Sequence, residues 1–207
     1  MSTLSSWRPL RALLTPIAAA TLALAAQAQT FGPALNLSNS AQASQSGQIA
    51  VAASDVYVVW AEPSTRNQQI ARFARSSDGG ASFGSAVTAL SSGSAGGPPH
   101  LAADGAYVYV ARTAVPKKNK PAQVYFRASS NHGMSFGSEF QVPNTGALHA
   151  LAAAGSSVHL LWSGAGGLWV TSSANGGASF TPAVLVSGTV GGAAPVMRAL
   201  GPNVHVA

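Results

Sequence analysis

The side chains able to do chemistry are few: five carboxylates, five histidines and eleven lysines and arginines in 207 residues, with no cysteine. The carboxylates are Asp55, Glu62, Asp78, Asp104 and Glu139. Two carboxylates flanking one bond are the usual equipment of glycoside hydrolysis, one as acid and the other as nucleophile or base. The lack of Cys removes disulfide scaffolds, thiolate metal sites and cysteine nucleophiles together. His100 and His149 occupy comparable positions entering a strand, so both are candidates to face one opening. A metal there needs a third ligand and supporting partners, which the sequence does not offer, so no metal is expected. Lys117, Lys118 and Lys120 lie between Pro116 and Pro121, as a basic loop that attracts an anionic glycan or surface, or as a solvated tip. The Gly-rich runs 93–97 and 164–167 lack the Lys-Ser/Thr of a phosphate loop, and no Gly-x-Ser-x-Gly elbow occurs. No cofactor is expected.

The elements that must position these residues repeat along the chain. Three octapeptides share the pattern Ser-x-Asp/Asn-x-Gly-x-x-Phe, through Ser76, Asp78, Gly80 and Phe83, then Ser129, Asn131, Gly133 and Phe136, then Ser173, Asn175, Gly177 and Phe180. Upstream of each stands Val56-Tyr57-Val58, Val108-Tyr109-Val110 or Val158-His159-Leu160, and Val204-His205-Val206 is a fourth copy with no octapeptide after it. Each unit resolves into four short strands, with Ala-rich first strands at 49–53, 100–103 and 150–153. Ala71, Phe73 and Arg75 alternate with Arg72 and Ala74 in the third strand of the first unit, a period of two. No helical period follows the first 28 residues. Four antiparallel strands in a unit of about 45 residues is the arithmetic of a β-propeller blade, with small residues where strands converge on an axis. The expectation is an all-β fold, a partial β-propeller of about three and a half four-stranded antiparallel blades. Blades fall at about 48–90, 100–142 and 150–186 with a half blade at 196–207, and 31–38 reads as an outer strand that closes a ring.

The octapeptides resemble the Asp-box, or BNR repeat, of the sialidase superfamily of propellers, over essentially all of residues 31–207. The resemblance implies a structural turn on the face away from the family's active site, with Asn tolerated in two copies because it too accepts from amides. On blade geometry Asp55, Asp78, Asp104 and Glu139 belong to the box face, which leaves Glu62 on the other. Arg66 and Arg112 are the arginines on that face, and Arg112 replaces the Trp60 and Trp162 of its sister blades. Sialidases clamp a substrate carboxylate with three arginines, since guanidinium binds it in a planar two-pronged way. Their Phe/Tyr-Arg-Ile-Pro motif, which holds the first clamp arginine, has no counterpart in this chain. Glu62 and Arg112 otherwise read as a surface residue before Pro63 and a solvated strand-end arginine.

Residues 1–28 read as a signal peptide: Arg8 and Arg11, an apolar stretch to Ala26, then Ala26-Gln27-Ala28 as a small-x-small cleavage site. Cleavage would leave nine basic residues against five acidic ones, and this modest excess reads as solubility rather than a nucleic-acid partner. After cleavage no segment is suited to cross a bilayer, so the expected location is secreted or periplasmic, in a bacterial cell envelope. Repeat counting suggests that the sequence is part of a longer reading frame. Two functions stay open: a non-catalytic scaffold that binds a glycan or another exported protein, or a piece of an exo-α-sialidase whose remaining clamp residues lie elsewhere.

Overall fold

A computed structural model describes residues 32–64, 68–91, 93, 96–116, 119–143, 145–188, 195–201 and 203–207. The expected signal peptide, Phe31, Arg66, Lys117 and Lys118 lie outside these residues. The chain divides into two compact units, Met1–Leu35 and Asn36–Ala207. Of the first, only residues 32–35 are described, and they carry no strand.

The second unit is built of antiparallel sheets in chain order, and its described residues contain no helix. The first blade is β1 (Gln45–Ala52), β2 (Asp55–Pro63), β3 (Gln69–Ser76) and β4 (Val87–Leu90). The second is β5 (Gly96–Asp104), β6 (Tyr107–Ala114), β7 (Gln123–Ser129) and β8 (Phe140–Gln141). The third is β9 (Ala147–Ala154), β10 (Ser157–Gly164), β11 (Gly167–Ser173) and β12 (Val184–Ser187), and β13 (Met197–Leu200) pairs with β14 (Asn203–Val206) in a two-stranded sheet. β1 lies beside β5, β5 beside β9, and β9 beside β13. First strands thus stand next to one another, as they do around a propeller axis. Gln48 Oε1 accepts from the Leu101 N–H at 3.0 Å, which ties two of them directly. This is a partial β-propeller whose sheets do not close a ring.

First strands start earlier than their Ala-rich segments predict. Register shifts between Gln45 and Gln48 and between Gly96 and Pro99 explain why: a bulge lets polar and Pro residues join a strand without regular pairing. Residues 32–38, expected as an outer strand, carry none.

The core lies between blades. One cluster joins Tyr57, Val59 and Phe73 to Val108, Val110 and Ala114; the next joins Tyr109, Ala111 and Phe126 to Leu160 and Trp162. Odd and even residues of β6 therefore serve different seams. A strand buried on both sides reads as a continuous apolar run.

Each octapeptide makes the turn between the third and fourth strands. Ser76 Oγ donates to Asp78 Oδ1 at 2.6 Å and accepts from Gly80 N–H at 2.9 Å, while Asp78 Oδ1 accepts from Ser82 N–H at 2.9 Å. Asn131 and Asn175 keep the acceptor role, and their Nδ2 groups donate to Ser135 and Ser179, each at 2.8 Å. Two of the phenylalanines reach across a seam. Phe136 meets Phe73 of the first blade edge-on with centroids 4.9 Å apart, and Phe180 meets Phe126 of the second at 5.1 Å. Such pairs contribute about 0.5–1.5 kcal/mol beyond burial. The turn is a latch between neighbours.

Hydrogen bonds from Ser76 and Ser82 hold the Asp78 carboxyl down at about 2, from an ordinary 3.8. The unfolded chain binds that proton first, so the contribution is complete above about pH 4 and lost as the pH falls toward 2. Asp78→Asn, which copies the sister turns, is expected to keep the fold and to flatten that part of the acid limb in melting temperature. An acid limb unchanged by the substitution would contradict the bond network.

Candidate functional site

The axial opening is lined by small first-strand residues, among them Ala50, Ala102 and Ala152, around a cavity of about 310 Å³ that Arg198 also lines. His100 stands on β5 opposite Ala111, and His149 on β9 is the extra residue between Leu148 and Ala150. The two are therefore not equivalent, since a bulge re-aims the side chain that it carries. Burial, and then the neighbouring His149, push the His100 imidazole down to about 4, which leaves it neutral at physiological pH. His149 Nε2 lies 2.8 Å from Ser163 Oγ. Among the described residues no group of three metal-ligating side chains forms. The pair offers hydrogen-bonding groups beside the axis.

Glu62 is 8% exposed and not a surface residue. Alternation puts Trp60 and Glu62 on one face of β2, with Arg72 opposite Trp60 on β3. Trp60 Nε1 donates to Glu62 Oε1 at 2.7 Å, Ser44 Oγ donates to the same oxygen at 3.3 Å, and Arg72 Nε stands 3.6 Å from Oε2. Three donors converge on this carboxylate, which ties the approach to β1 onto the blade.

Arg112, expected as a solvated strand end, is 1% exposed. Val110 and Ala114, two residues to either side, belong to the cluster shared with the first blade, so alternation turns Arg112 into the same seam. Its Nη2 lies 3.5 Å from the Gly93 carbonyl. The structure does not gather Glu62, Arg112, His100 and His149 into one site. Glu62 and Trp60 project from the other side of the first blade, away from the odd residues of β2 that pack on the second.

The other carboxylates also hold blades. Asp55 accepts from Arg75 Nη2 at 3.4 Å and lies 2.8 Å from His132 Nδ1, which belongs to the second blade's turn. Burial raises its pKa, but the His132 hydrogen bond and the Arg75 charge outweigh that and bring it below the usual range. Asp104 Oδ2 accepts from Gly155 N–H of the third blade at 2.6 Å, and Glu139 Oε2 accepts from Ser91 N–H at 2.9 Å.

Sequence reasoning missed a groove of about 630 Å³ on the seam between the first and second blades, with Arg75, Arg127 and Met134 in its lining. The signal was available. Arg75, Arg127 and Met134 depart from their sisters at aligned positions of the repeat.

No family model matches the chain, and no curated protein matches it. Among solved structures it is similar to a mutant of Trypanosoma rangeli sialidase displaying trans-sialidase activity, at 13% identity and a TM-score of 0.47, over 67% of this chain and 30% of that one. The chain spans less than a third of that protein's length.

Proposed function

We propose that this chain is an exported Asp-box repeat propeller whose role is to bind or scaffold, engaging a glycan or another exported protein rather than turning over a substrate. One observation carries the reading: all five carboxylates of the chain are engaged as acceptors within or between blades. A glycosidase needs a carboxyl group free to move a proton at the scissile bond. The burial of Arg112 in a seam supports the same reading, since a clamp arginine must meet its anion in an open site.

The purified protein is expected to give no release from a fluorogenic sialoside above the buffer blank. It is expected to retain one or more glycans on an immobilised panel. Sialoside turnover abolished by Arg112→Ala would overturn the proposal in favour of an exo-sialidase piece. An empty glycan panel would leave the exported-protein partner, to be sought by cross-linking in the intact envelope.

A further inference from the structure

We propose that the groove between the first and second blades is a binding site for an acidic oligosaccharide, a uronic-acid chain in chemical class. The ligand class rests on the binding role proposed above; the site rests on its own observations.

The repeat supplies an internal control. The seam between the second and third blades also has a groove, of about 430 Å³, closed by the same aromatic latch. Opposite the Tyr of the second strand stand Arg75 in the first blade and Ala128 in the second. Arg127 holds the place that Thr171 holds in the third blade, as their partners Val110 and Leu160 show. In the turns, His132 and Met134 align with Gly176 and Ala178. The aromatic latch does not depend on these four residues, because the sister seam closes its own without them. His132 also adopts φ 58, where both aligned positions are glycines at φ 71 and φ 70. A non-glycine residue kept in the left-handed region is a departure that the fold does not demand.

The departures share a chemistry. Arg75 pairs with Asp55 at 3.4 Å, whereas the partners of Arg127 are backbone carbonyls and not a carboxylate, which leaves its charge without a direct counter-ion. Arg75 Nε is buried without a hydrogen-bond partner among the described residues. Arg127 is braced by the carbonyls of Thr88, Ala89 and Gly137, so it is held in place before any ligand arrives. Beside the charges lie apolar surfaces, Met134 at 66% exposure and the Phe136 ring, on which Arg127 itself stacks at 5.8 Å. Ser77, Ser85 and Ser135 add hydroxyls to the same walls. Guanidinium for carboxylate, apolar surface for the C–H face of a sugar ring and hydroxyls for hydroxyls describe an acidic saccharide. An acidic peptide fits less well. It would pair with the outer strand β4, yet the Thr88 and Ala89 carbonyls already accept from Arg127.

The test is calorimetric titration of the whole exported protein with tetragalacturonate, its carboxyl-reduced neutral counterpart and a tetraglutamate peptide. Tetragalacturonate is expected to bind, more weakly as salt is raised, and the other two are not. Arg75→Ala with Arg127→Thr and Met134→Ala rebuilds the sister seam and is expected to weaken binding by about tenfold or more, as loss of charge-assisted bonds does. Circular dichroism checks that variant's fold, and Arg75→Gln alone serves if it fails to fold. Tetragalacturonate binding that survives the swap would overturn the site while leaving the glycan reading intact. Equal binding of the neutral sugar or the peptide would overturn the ligand class. No binding of tetragalacturonate, beside retention of other glycans on the panel, would overturn this inference alone.

Discussion

Alanine at Gly177 is expected to destabilise the fold by about 2–4 kcal/mol, while alanine at the aligned Gly80 costs about 1–2 kcal/mol. Both glycines are left-handed, at φ 84 and φ 92, so the backbone penalty is shared. Their surroundings differ. A Cβ at Gly177 would overlap Phe126 Cε1 and come within 2.6 Å of its Cζ, whereas the nearest atom to one at Gly80 is Val56 Cγ2 at 3.8 Å. Phe126 cannot step aside: it is fully buried, stacked on Tyr109 and met edge-on by Phe140 and Phe180. The excess at Gly177 therefore measures how closely a turn approaches the preceding blade. Urea unfolding of the two variants, compared at unchanged m, reads it. Equal losses at Gly177 and Gly80 would mean that the turn does not sit against Phe126 as described.

The same contacts show what the sequence could and could not reveal. The blades were legible because their signals are local and recur: a Val-Tyr-Val strand, a Ser-x-Asp/Asn-x-Gly turn, a phenylalanine three residues after the glycine. Repetition turns weak signals into a strong one. The strand starts before Ile49 and His100 were not, since bulged pairing lets Gln45 and Pro99 belong to strands that their residue types argue against. Burial of charge was the larger blind spot. Nothing near Glu62 in sequence says that Ser44 and Arg72 will close around it, and nothing near Arg112 says that the first blade will cover it. Those facts depend on how blades meet, which strand periodicity does not encode. The groove arginines were hidden differently. In sequence Arg75 is one member of an alternating strand, and its meaning appears only beside Ala128 at the same register.

Arg112 offers the sharpest choice between packing and ligand binding. Arg112→Ala is expected to cost about 2–4 kcal/mol, and Arg112→Met to leave stability within about 1 kcal/mol of the parent. The side chain fills the seam between Val110 and Ala114, so truncation to Cβ leaves a void among residues that the first blade holds in place. Burial lowers the guanidinium pKa, against the opposing pull of Glu139 and Tyr125, which marks the price of desolvation that the charge carries in the folded state. Met keeps most of the volume and sheds that charge, so its two effects offset. A clamp arginine behaves in the opposite way. Held open for an anion and strained by the site, it leaves stability unchanged or improved on removal. Thermal and urea unfolding of the two variants separates the cases: a neutral or stabilising Arg112→Ala would take the residue out of the seam's packing and make it a ligand-facing group.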